Sequence, residues 1–363
     1  MVRCCNLFYS FYTHNRGISL KKTLTYDDIN IVPKYSDIKS RSDINLNTRF
    51  TKRLFINTPI VSAPMDTVTG ESMARQMMRL GGIGVVHRFM SIEEQSNIIS
   101  QLENSWGGQK THKCAAVGVT GDYFERAQEL VNNGCDVLLI DVAHGHHKLV
   151  GEAIEKIKTN IQGVEVIGGS VATAEGVEYL CEQGADAVRV GIGNGSLCET
   201  RIRTGVGVPQ VSALLNAVSV GDKYGTPIIA DGGVRNIGDV CKGLACGADS
   251  VMLGSLLSGT KETPGQIEKI GKWPNEQLYK KYRGSASLDS KSDRGENKNV
   301  EGNHKVIPYK GKIKRIIYDI EDGLRSSFSY VGASNIQEYH SKVELVEVSY
   351  AGNNEGKPHL LNT

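Results

Sequence analysis

A chain of 363 residues is long enough for one large α/β domain or two ordinary ones. Its 42 Lys and Arg against 40 Asp and Glu leave a net charge of +2, without the basic excess of a dedicated nucleic-acid binder. Hydrophobic residues at 39% suffice for a sizeable core, and no apolar run reaches the ~18 residues of a membrane span, so neither nucleic acid nor membrane is an expected partner.

Residues 1–22 read as an N-terminal extension. The first 26 positions contain Arg3, Arg16, Lys21 and Lys22 but no Asp or Glu. They form neither a continuous apolar region nor an Arg-rich amphipathic pattern, so a ragged extension is favoured over a transit peptide and the expected compartment is the cytosol. From residue 57 onward one unit recurs: a short apolar strand, a turn with Gly or Asp, then an amphipathic helix. The predicted strands are Asn57–Ser62, Ile83–His87, Ala115–Val119, Val137–Val142, Val164–Gly168, Ala187–Gly191, Pro227–Ala230 and Ser250–Gly254. Predicted helices at Asp122–Asn133, Thr173–Glu182 and Ile237–Cys246 end at Gly134, Gly184 and Gly247, which are good C-terminal stops. Eight such units specify a closed (β/α)₈ TIM barrel, a single domain over residues 23–350, more naturally than an open sheet. Residues 276–312 break the repeat; the tract is polar, charged and without periodicity, and reads as an exposed flap or a disordered loop, the flap itself covering 285–312. The tail at 351–363 is likewise polar and irregular.

In such barrels the chemistry sits on the loops after the strand C-termini. The loop after the sixth strand, Gly191-Ile192-Gly193-Asn194-Gly195-Ser196-Leu197-Cys198-Glu199-Thr200-Arg201, carries three alternating glycines that lead to a cysteine. An isolated Cys is usually a small buried hydrophobe, but a Gly-rich loop at the barrel mouth makes Cys198 a candidate nucleophile. Asp231-Gly232-Gly233 ends strand seven and Gly254-Ser255 ends strand eight, where barrels hold a phosphate through backbone N–H groups; plain tight turns are the alternative. Asp231 suits vicinal ribose hydroxyls, since a carboxylate accepts two hydrogen bonds. His144, His146 and His147 lack Cys or carboxylate partners at ligand spacing, so a metal is not expected there. His144 and Asp141 read instead as contacts to a second ligand or to each other. The eight cysteines contain no CxxC pair, which favours free thiols, and no GxGxxG sits where a Rossmann cofactor site needs it.

Leu24–Asp28, Ser62–Thr67, Gly81–His87, Gly191–Thr200, Gly205–Gln210, Ile229–Gly233 and Tyr282-Arg283-Gly284 together resemble the IMP dehydrogenase/GMP reductase family, over nearly the whole chain from about residue 23. The resemblance implies that Cys198 attacks C2 of a purine nucleotide and that Thr200 supports proton transfer. It implies that Asp231 binds ribose, that Ser196, Gly233, Gly254, Ser255, Tyr282 and Gly284 hold the substrate at its phosphate end, and that Asp141 and Gly191 lie toward a nicotinamide. It further implies NADPH or NAD⁺ as cofactor, a homotetramer, and Gly193 and Gly195 as candidate positions for a monovalent cation such as K⁺. No CBS pair is inserted. Dehydrogenases carry an Arg-Tyr pair on a long flap to activate water, whereas here Arg294 is followed by Gly295. Gly284–Ser287, Gly295–Gly302, Ser326–Ala333 and the Glu355–Pro358 tail resemble reductases. Ser62–Thr69, Gly81–Gln95 and Leu288, where many reductases place a catalytic Glu, resemble dehydrogenases; Asp289 or Glu296 are candidate substitutes for that Glu. The leading expectation is GMP reductase with NADPH. IMP dehydrogenase with NAD⁺ is the alternative, and a catalytically altered nucleotide-binding barrel comes third. A Schiff-base barrel would need a Lys at a strand end, and none stands out.

Overall fold

The computed structural model describes residues 20–272, 274–285, 287 and 302–357. Eight parallel strands close a barrel in sequential order: β1 (Ile60–Ser62), β2 (Ile83–Val86), β3 (Cys114–Val117), β4 (Val137–Ile140), β5 (Glu165–Val171), β6 (Ala187–Val190), β7 (Ile228–Asp231) and β8 (Ser250–Leu253). The period-two alternation of a strand decides what fills the barrel and what faces the helices. In β4, Val137 and Leu139 point into an inner cluster with Val61, Val85, Ala116, Ile229 and Met252, while Leu138 and Ile140 pack outward under the helices. A hairpin at Thr48–Arg49 and Phe55–Ile56 inserts the buried Phe50 and Ile56 into that inner cluster. Its Lys52 N–H donates to Asp186 O, just before β6, so the hairpin stoppers the N-terminal end.

The outer helices are α1 (Glu71–Arg79), α2 (Ile92–Gln101), α3 (Tyr123–Asn132), α4 (Lys148–Asn160), α5 (Ala174–Glu182), the short α6 (Thr200–Thr204), α7 (Gln210–Tyr224), α8 (Ile237–Ala245) and α9 (Ile313–Val331). Their starts follow capping chemistry. Thr173 accepts from Gly176 N–H at 3.1 Å, Asn236 accepts from Asp239 N–H at 3.0 Å, and Ser91 with Glu94 forms a capping box. Helix α9 buries Ile313, Ile317, Ile320, Leu324, Phe328 and Val331, an i, i+3/i+4 stripe laid against the barrel.

Two expectations need correction. The tract at 276–312 is not wholly loop. Strands β9 (Glu268–Ile270), β10 (Gln277–Arg283) and β11 (His304–Pro308) form an antiparallel sheet. Alternation in β10 is masked because one of its inward residues is a lysine: Lys280 and Tyr282 are buried, Lys281 is exposed. The tail is not wholly irregular either, because Tyr350–Glu355 is helical, with Ser349 accepting from Gly352 N–H at 3.2 Å. The flap positions Leu288, Asp289, Arg294, Gly295 and Glu296, most of the N-terminal extension and the last six residues lie outside the described residues. No described helix is long and apolar enough to cross a membrane.

Candidate active site

The β6 loop owes its path to residues without side chains. Gly191 has φ 151°, and a Cβ there would lie 1.8 Å from Asp231 O; Gly193 has φ 80°, and its Cβ would meet Arg201 Cγ at 2.7 Å. Asn194 then ties the loop down. Its amide donates to Gln210 Oε1, its carbonyl oxygen accepts from Arg201, and its backbone oxygen accepts from Gly233 N–H at 2.9 Å. Gln210 in turn donates to Val190 O at 2.9 Å, which closes the loop back on its own strand. At the far end Cys198 N–H donates to Gly195 O at 3.1 Å, and the half-buried Cys198 thiol donates to Thr200 Oγ1, also at 3.1 Å. A thiol within reach of a hydroxyl has a short path for proton movement.

Two flap residues, Ser287 and Gly302, meet beside this cysteine. Gly302 bridges both Cys198 and Ser287; Asn303 N–H donates to Leu197 O at 3.0 Å, and Gly284 N–H donates to Asn303 O at 2.9 Å. Strand β10 reaches the mouth because Arg283 holds Asp66, in the loop after β1, at 3.0 and 2.8 Å. It also brings in the Tyr282 hydroxyl, 3.0 Å from Ser196 Oγ. Burial pushes the Tyr282 phenol pKa up, so it stays a neutral donor. A Cβ on Gly254 would sit 3.3 Å from that hydroxyl, so Ser196, Tyr282 and the β8 turn converge. In that turn Leu257 and Ser258 N–H donate to Gly254 O at 3.2 and 2.9 Å, and Gly254 and Ser255 line the mouth.

Across the pocket, Arg189 on β6 reaches Asp141 at 3.1 Å and Asp231 at 3.3 Å, while Arg88 Nε lies 3.4 Å from Asp141. Burial raises the Asp231 pKa, and the Arg189 charge opposes the rise. All of these groups line one cavity of about 420 Å³ at the C-terminal face.

A model of the IMP dehydrogenase / GMP reductase domain matches residues 23–359. The chain belongs to this family. Inosine-5'-monophosphate dehydrogenase of Cryptosporidium parvum is 38% identical over 94% of this chain and 96% of that protein. The same-named enzyme of Nitrosopumilus maritimus is 33% identical over 94% and 99%. The alignment with the latter spans 476 positions, so that relative has residues without a counterpart here. Among solved structures, a cysteine-to-alanine GMP reductase of Trypanosoma brucei in complex with guanosine 5'-monophosphate superposes with a TM-score of 0.87 at 28% identity, over 94% and 98% of the two chains. Family membership makes the chain a purine nucleotide oxidoreductase of a class that uses nicotinamide cofactors.

Every candidate residue of this family site falls on the one cavity: Cys198, Thr200, Ser196, Asp231, Gly233, Gly254, Ser255, Tyr282, Gly284, Asp141, Gly191, Gly193 and Gly195. The wall beyond Cys198 fits a nicotinamide in chemical character. It offers the Phe89 ring, the Asp141 carboxylate and Arg88 Nε, a buried donor without a hydrogen-bond partner that suits a carboxamide or ribose oxygen. The pairing of Asp141 with His144 is not realised. Asp141 is held by Arg189 and Arg88, while the His144 ring lies 6.4 Å from that of His146. His147 instead caps α4, accepting from Leu149 N–H at 3.1 Å. Sequence reasoning missed Arg189, although an arginine inside the apolar strand Ala187–Val190 is the kind of buried charge that signals a site.

Proposed function

We propose that the chain is a GMP reductase, converting GMP and NADPH to IMP, ammonia and NADP⁺. The observation that carries this reading is the meeting of Ser287 and Gly302 beside Cys198, with only residues 288–301, none of them Tyr, between them in the sequence. A hydrolytic half-reaction has to place and activate a water molecule there, whereas a reductive one has to keep water out. A short seam against the nucleophile suits exclusion. The reductase-like Gly295–Gly302 and Glu355–Pro358 segments point the same way.

In this reading Cys198 Sγ bonds to C2 of GMP and the C2–amino bond breaks. The thiol proton, passed by way of Thr200 Oγ1, leaves with the amine as ammonia. The nicotinamide, when bound, supplies the hydride that C2 accepts. The C–S bond then breaks, the thiolate takes back the electron pair, and reprotonation restores Cys198. Asp231 would hold the ribose hydroxyls, and Ser196, Tyr282, Gly233, Gly284 and the Gly254-Ser255 turn the phosphate. Asp141 and Gly191 would face the nicotinamide.

The second reading, IMP dehydrogenase with NAD⁺, is favoured by the names of the curated relatives and by Leu288. Nicotinamide absorbance separates the two. Loss of NADPH with GMP alone supports the reductase; appearance of NADH with IMP alone overturns it.

A further inference from the structure

Among the described residues, the phosphate end of the pocket has no cation in its wall. Ser196, Gly233, Gly254, Ser255 and Tyr282 are neutral, and the two guanidiniums that line the cavity, Arg88 and Arg189, are turned to Asp141 and Asp231. A nucleotide phosphate is close to a dianion, and desolvating it in a neutral cradle is costly. We propose that Lys310 supplies the missing charge from behind the cradle, as a positioning residue for the Gly254-Ser255 turn. The inference rests on the reading of that turn as the phosphate site.

Lys310 follows β11, and its own N–H donates to Gly259 O at 2.8 Å, which fixes its backbone beside the turn. Its ammonium donates to Ser255 O at 2.8 Å and to Leu256 O at 3.2 Å. In a trans peptide the carbonyl and the following N–H point in opposite directions. A cation that draws the Ser255 carbonyl outward therefore turns the Leu256 amide the other way and polarises it, while the Leu257 amide, paired with Leu256 O, is already given to Gly254 O. Among the described residues no carboxylate pairs with Lys310, so its field is not cancelled locally. Lys280 offers an internal contrast. It is also tied to carbonyls, those of Thr260 (3.2 Å) and Thr263, but these lie farther along the loop and Glu262 balances its charge.

The test compares equilibrium binding of GMP and guanosine to the full chain with Cys198→Ala, in which no turnover occurs. Lys310→Gln keeps a donor for the two carbonyls but removes the charge; Lys310→Arg keeps the charge. The expected result is that Gln lowers GMP affinity about tenfold with guanosine affinity unchanged, flattens the salt dependence of GMP binding, and that Arg restores both. Lys310→Met, read by the same ratio, replaces Gln if the Gln variant melts early. A folded Gln or Met variant that keeps the full GMP-to-guanosine ratio overturns the proposal. If the parent protein itself binds GMP no tighter than guanosine, the phosphate reading of the turn fails instead.

Discussion

Arg189 Nη1 lies 3.3 Å from Asp231 Oδ2 while Nη2 of the same guanidinium holds Asp141 Oδ1 at 3.1 Å. One buried cation thus sits between the carboxylate proposed for ribose and the one proposed for the cofactor. Burial pushes the Asp231 pKa up and Arg189 pulls it down. Nucleoside binding through the ionised carboxylate is present above that pKa and lost as pH falls through it, so the loss starts above the ordinary Asp range. Arg189→Met removes the lowering charge and moves the loss to still higher pH. Guanosine is the ligand to use, because it carries no titrating phosphate. A midpoint that stays put or moves down in Arg189→Met would show that Arg189 does not set the Asp231 charge.

Cys198→Ala is expected to lower turnover by at least about a thousandfold while GMP still binds, since in the proposed mechanism the thiol forms the bond and the proposed phosphate and ribose contacts stay in place. Stopped-flow absorbance and calorimetry read the two properties separately. Robust turnover by the alanine variant would end the covalent mechanism.

Gly191 and Gly205 both have positive φ, at 151° and 73°, yet their surroundings differ. A methyl on Gly191 runs into Asp231 O, whereas one on Gly205 meets nothing within 4 Å. Gly191→Ala should therefore cost about 2–3 kcal/mol and most of the activity, against about 1 kcal/mol for Gly205→Ala from backbone strain alone. Denaturant melts of the two variants give the comparison, and equal midpoints would contradict it.

Asn194 joins Arg201, Gln210 and Gly233 around the cysteine loop. Asn194→Ala leaves the buried Gln210 and the half-buried Arg201 without their side-chain partner, so stability should drop by about 1–2 kcal/mol. The rate constant kcat should fall more than KM rises, because Cys198 loses its position before the nucleotide loses its contacts. A variant with an unchanged melting temperature would place the loop's rigidity elsewhere.

The barrel was legible because its signal is local: apolar runs, glycine stops and capping residues repeat along the chain. Boundaries were not. β1 was expected from Asn57 but starts at Ile60, since the Asn57 and Thr58 amides are taken by Gly81 O. β5 runs on to Val171, past the glycines that looked like its end. The loops held most candidate groups on the cavity, because chemistry-bearing residue types cluster after strand ends, while Tyr282 and Gly284 entered only through the family resemblance. What stayed hidden depends on pairing across distance. Arg189 gains meaning only from Asp141 and Asp231, and β10 only from β11, with Tyr282 set opposite Lys305 in that pairing.

Phe50 and Ile56 fill the N-terminal end of the barrel, so among the described residues the cavity has a floor and opens at the C-terminal face. Nothing drains through the floor. A nucleotide, a dinucleotide and any small leaving group would share that face, which Leu197 and Gly302 line. Sharing one face, they would come and go in sequence, and a ligand lodged there would hold back whatever lies behind it.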